Sequence, residues 1–75
     1  MTKSSEKEFL DKLMKRIAQI RKDKSITQEQ LAADTGLDRV AIANIETGKR
    51  RPTVTTIYRL ANGLGVKIED LFSGL

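Results

Sequence analysis

The chain is predicted to be all-α, built from five short helices. Apolar residues recur at steps of three and four, and no segment shows convincing strand alternation. Capping residues stand ahead of the helical segments, and glycines stand behind several of them. Ser5 with Glu8 has the S-x-x-E pattern that opens a helix, so the first is expected over residues 6–22, after a polar, frayed stretch at 1–4. Its apolar stripe is Phe9, Leu10, Leu13, Met14, Ile17 and Ile20; Lys12, Lys15, Arg16 and Gln19 fall mostly opposite. Thr27 with Gln30 opens the second helix, over 28–34, with Leu31 and Ala32 inward and Gly36 turning the chain. Asp38 caps the third, 39–46, which buries Ile42 and Ile45 and is closed by Gly48. Pro52 disfavours helix at Arg51, so residues 49–52 form a basic loop. Thr53 caps the fourth helix, which points Ile57, Leu60, Ala61 and Leu64 inward and stops at Gly65. The fifth, about 67–72, carries Ile68, Leu71 and Phe72.

Seventy-five residues suffice for one domain, 1–75, with no second core. Cysteine and histidine are both absent. That removes disulfides, the commonest zinc ligand and the commonest general base, so neither metal, cofactor nor enzymatic activity is expected. Apolar runs are too short for a membrane span or a signal-peptide core, and a cytoplasmic location is expected. Gly63-Leu64-Gly65 lacks the strand and third glycine of a nucleotide loop, and Glu69 and Asp70 diverge as neighbours on a helix. Fourteen Lys and Arg against ten Asp and Glu give net +4. The bases cluster at Arg21, Lys22 and Lys24 and again at Lys49-Arg50-Arg51. Charge alone fits a solubilising surface as well as a nucleic-acid footprint; a motif has to decide.

The second and third helices supply it. Ala32, Gly36, Ile42 and Ile45 stand at offsets of four, ten and thirteen from the first. A small residue lets two helices cross closely, glycine makes the turn, and two isoleucines fill the angle between them. Arg39, Val40, Ala43, Asn44 and Thr47 then face outward, a surface slim and polar enough for a DNA major groove. An ordinary helical hairpin shares parts of this pattern, but not the whole set with its caps and basic loop.

The sequence resembles the phage repressor and Cro-like helix-turn-helix proteins, the XRE family with its lambda-repressor-like fold. The likeness spans about residues 9–73. It rests on Ile26-Thr27-Gln28-Glu29-Gln30-Leu31-Ala32, Gly36-Leu37, Ile42 through Gly48, Arg51-Pro52-Thr53 and Leu60 through Val66. Gly36-Leu37-Asp38-Arg39, followed by Ile45-Glu46-x-Gly-x-Arg-x-Pro, is most similar to controller proteins of restriction–modification systems. A phage-type repressor or plasmid regulator would share much of it. The resemblance implies a dimeric regulator of its own operon, activating or repressing, bound to a palindromic operator in double-stranded DNA.

The resemblance also assigns roles. Arg39, Val40 and Asn44 take the base-reading positions. Thr27 and Gln28 take the phosphate site at the start of the second helix, and Ala43, Thr47, Lys49, Arg50 and Arg51 lie along the DNA backbone. Arg21 and Glu46 match a structural pair joining the ends of the first and third helices. The helix-turn-helix covers about 27–47 and the dimerisation region about 64–75, where Ile68, Phe72 and Leu75 are left for a partner copy. Glu29, with Asp34, takes the place where related activators present acid to RNA polymerase. Lys67 departs from the Ser or Thr that often caps the fifth helix. An antitoxin-like module that binds a protein partner first and DNA second is the other class. About eight residues precede the matched region and two follow it, which leaves little for a partner-binding extension.

Overall fold

The computed structural model describes residues 3–75, with side chains from Ser5 onward. Among these residues the chain forms five α-helices and no strand: α1 Lys3–Asp23, α2 Gln28–Thr35, α3 Arg39–Glu46, α4 Val54–Leu64 and α5 Ile68–Phe72. The fold class and helix order match the sequence reading. The start of α1 does not. The helix already runs at Lys3, so Ser5 lies inside its first turn and Ser5-x-x-Glu8 is not its capping box. A cap requires the chain to leave helical geometry at that residue, and nothing in Lys3-Ser4-Ser5 forces it to. Of the stretch 1–4 expected to fray, residues 3 and 4 are already helical, and Met1 and Thr2 fall outside the described residues.

α1 is long enough to lie against α3, α4 and α5 at once. Leu13, Met14 and Ile17 from α1 meet Leu31, Ile42, Ile45, Ile57, Leu60, Leu64 and Leu71 in one core cluster. Phe9, expected on the inward stripe, lies beyond this cluster, half open to water and stacked on Phe72, with ring centroids 6.2 Å apart.

Local chemistry sets each junction. Thr27 Oγ1 accepts from Gln30 N at 3.0 Å while Gln30 Oε1 accepts from Thr27 N at 2.8 Å, a complete capping box for α2. Gly36, at φ 76°, turns the chain into the helix-turn-helix corner. Asp38 and Thr53 cap α3 and α4 through Ala41 N and Thr56 N. At α5 the Lys67 side chain does not cap; Asp70 Oδ2 instead accepts from Lys67 N at 3.1 Å, which satisfies the entry from the other direction.

Two features carry no clear sequence signal. Ser25 holds a left-handed backbone, φ 57°, where α1 gives way to α2. Gly63, on α4, is pressed against α2: a Cβ there would come within 2.8 Å of both Leu31 Cδ1 and Thr35 Cγ2. Its lack of a side chain lets α4 brace the back of the helix-turn-helix, a packing role rather than a phosphate loop.

Candidate nucleic-acid interface

α3 is amphipathic in a way that fixes which side chains leave the protein. Ala41, Ile42 and Ile45 are buried against the core. By the 3.6-residue period, Arg39, Val40 and Thr47 are then exposed, while Ala43 and Asn44 are half-buried between the faces. Arg39 and Val40 thus point outward, and Asn44, one turn beyond Val40, lies half-buried at the edge of the same face. Val40 is 58% exposed, an apolar side chain held in water that suits contact with a thymine methyl group.

The basic loop is fixed to the end of this helix. Lys49 N and Arg50 N both donate to the carbonyl oxygen of Asn44, at 2.9 and 3.1 Å. These bonds hold the backbone carrying Lys49, Arg50 and Arg51, all exposed, beside the C-terminal end of α3. Thr47 Oγ1 donates to Ala43 O at 3.0 Å, so its hydroxyl proton is already engaged inside the protein. At the other end of the site, the N–H groups of Gln28 and Glu29 begin α2 and have no carbonyl a turn earlier to meet, the arrangement that suits a phosphate oxygen.

Arg21 and Glu46 form the pair expected of them, and more. Arg21 Nε donates to Glu46 Oε2 at 2.6 Å and Nη2 donates to Oε1 at 3.0 Å, while Nη1 donates to Ile26 O at 2.9 Å. Both side chains are at most one-tenth exposed. The hydrogen-bonded Glu46 carboxylate raises the guanidinium pKa above its usual value; burial works against this, and the charges of Glu46 and Glu29 reinforce it. Glu46 Oε1 also accepts from Gln28 Nε2 at 3.0 Å. Gln28, expected at a phosphate, is therefore part of the clamp joining α1, α2 and α3, with one N–H of its amide left over for a ligand. No local pattern announces this contact, whose two ends are eighteen residues apart.

Glu29 and Asp34 do not make one acidic surface. Five residues along α2 rotate them about 140° apart, and Glu29 lies 3.7 Å from Arg39 Nε. At the C-terminal end, Ile68 is partly buried against the core, Phe72 is engaged by Phe9, and Leu75 is partly exposed. Two further apolar side chains stand exposed, Val54 at 75% and Tyr58 at 56%, one turn apart on α4. Their four-residue spacing, off the inward stripe, is the pattern that marks them.

Among the described residues no helix is long and apolar enough to cross a membrane, and no group of three His, Cys, Asp or Glu could hold a metal ion. Comparison with known proteins adds to the geometry. The Helix-turn-helix family pattern matches residues 17–71. The chain is 41% identical over 54 residues to the transcriptional regulator y4dJ of Sinorhizobium fredii, covering 72% of this chain and 70% of that one. It is 34% identical over 61 residues to the control protein C.MunI of a Mycoplasma species, covering 80% and 82%. A solved structure of the restriction–modification controller protein C.Esp1396I, a tetramer in complex with its natural 35-base-pair operator, superposes with a TM-score of 0.81 at 36% identity, covering 85% of this chain and 84% of that one.

Proposed function

Since the chain belongs to the helix-turn-helix family of transcription regulators, we propose that it binds a palindromic DNA operator as a homodimer and acts as the autoregulatory controller of a restriction–modification operon. The observation that carries the reading is the outward face of α3, with Arg39 and Val40 exposed and Asn44 at its edge. Arg39, Val40 and Asn44 are set on a helix fixed at both ends, by Asp38 at its start and by the Glu46 clamp at its finish. The C.MunI and C.Esp1396I likenesses support the controller assignment.

In this reading that face enters the major groove. Arg39 donates two bonds to guanine O6 and N7, Asn44 pairs with adenine, and Val40 covers a thymine methyl. Thr27, the spare Gln28 N–H and the start of α2 meet a phosphate on one side. Ala43, Thr47, Lys49, Arg50 and Arg51 follow the backbone on the other. The domain is the whole chain, 1–75, with no catalytic role and a cytoplasmic location, and residues 64–75 form the dimerisation region. There the apolar surface left by Phe72 and Leu75 is closed by a second copy, with Ile68 at its inner edge. Polymerase contact, where activation occurs, falls to Glu29 and Asp34 as separate points rather than a patch.

The test is a titration, followed by fluorescence anisotropy, against the duplex upstream of the chain's own gene and against that duplex with its bases shuffled. Preference for the former by about a thousandfold or more is expected. Equal affinity for the two would end the proposal.

A further inference from the structure

We propose that Glu29 is a positioning residue that sets how sharply Arg39 discriminates its base pair. The inference rests on the DNA-binding reading above. Glu29 is the second residue of α2 and Arg39 the first of α3, so the pair bridges the N-terminal ends of the two helices that build the motif. Arg39 Nε lies 3.7 Å from Glu29 Oε1, with the side chains 52% and 70% exposed. At that distance the contact is an ion pair and not a hydrogen bond. In open water such a pair does little for the fold. Its approach at Nε leaves the fork of two terminal amino groups for a guanine edge.

The effect of Glu29 appears when DNA displaces water and the two charges interact more strongly. In a correct complex Arg39 meets guanine ahead and Glu29 behind, and no charge is stranded. In an incorrect complex the base offers no pair of acceptors, and the neighbouring phosphates draw the guanidinium out of the groove. That movement would leave Glu29 unpaired beside a polyanion. Glu29 therefore disfavours the complexes in which Arg39 abandons its base, and it lowers affinity for random DNA more than for the operator. Its charge is also felt at Arg21, so the acid stands in the field of both guanidinium groups.

Wild type, Glu29→Gln, Glu29→Asp, Arg39→Ala and the Glu29→Gln/Arg39→Ala double variant are titrated against three probes. These are the duplex that wild type selects from a randomised pool, that duplex with each base pair changed in turn, and the unselected pool. Glu29→Gln is expected to bind the pool about threefold more tightly and to lose about fivefold in discrimination at the one base pair per half-site that Arg39→Ala also relaxes. Glu29→Asp restores part of that discrimination, and in the Arg39→Ala background Glu29→Gln changes nothing at that pair. The inference is overturned if Glu29→Gln shifts every duplex by the same factor, or if its loss of discrimination persists without Arg39. Failure of wild type to select any sequence overturns the DNA-binding reading itself. Selection by wild type with discrimination intact in Glu29→Gln overturns only the role of Glu29.

Discussion

Arg21 and Arg39 each face a glutamate, and the two pairs differ in nearly everything but chemistry. Arg21 is buried, gripped at two atoms by Glu46, and bonded to the Ile26 carbonyl as well. Arg39 is open to water and meets Glu29 at 3.7 Å. In the first pair three of the five guanidinium N–H donors are spent inside the protein and the side chain is almost wholly buried, so little of it is open to a ligand. In the second the guanidinium is held loosely and keeps its terminal donors. The difference separates a residue that ties the helices together from one proposed to read DNA, and it is set by burial rather than by residue type.

Removing the buried arginine should produce the largest effect. Arg21→Ala leaves the Glu46 carboxylate buried without its partner, and urea unfolding should show a loss of about 3 kcal/mol, a large share of what a domain of this size possesses. A loss under about 0.5 kcal/mol would place Arg21 among ordinary surface residues and erase the contrast. The pH dependence follows from the direction of its shift. A guanidinium pKa raised by folding contributes its stability fully below the unfolded value and loses it only as pH climbs through the raised one. Titration of Arg21 should therefore add no slope to stability between about pH 6 and pH 9.

The exposed arginine should behave in the opposite way. Arg39→Ala should leave unfolding within about 0.5 kcal/mol of wild type while costing about 1–3 kcal/mol of operator binding and relaxing preference at one base pair per half-site. An unfolding change as large as that of Arg21→Ala would show that both pairs are structural. Lys49→Ala sharpens the contrast with a third kind of cation, one proposed to contact phosphate alone. It should weaken selected and unselected duplexes by the same factor and reduce the slope of log affinity against log salt by about one. A preference confined to particular sequences would make Lys49 a reader.

The sequence revealed what depends on neighbours. Thr27 with Gln30, Asp38, Thr53 and Gly36 act within a few residues of themselves, and all occupy the places their patterns indicated. The Arg21–Glu46 pair was legible through resemblance, since its two residues are twenty-five apart. What was hidden depends on how helices meet. Gln28 reaches Glu46 only because the start of α2 packs beside the end of α3. Gly63 matters only because α4 presses on Leu31 and Thr35. Glu29 meets Arg39 across the turn between two helices. Phe9 and Phe72, sixty-three residues apart, stack on one another where the two ends of the chain meet. The false start at Ser5 is the converse case: a local pattern was present, but the preceding residues continued the helix.

Hydroxyl-radical footprinting on the region upstream of the chain's own gene tests most directly whether α3 reads DNA as half of a symmetric pair. Two protected tracts related by a two-fold axis, with centres about 34 Å apart along the duplex, are expected, each fading in Arg39→Ala. Protection spread evenly along the fragment, or a single tract indifferent to Arg39, would contradict it.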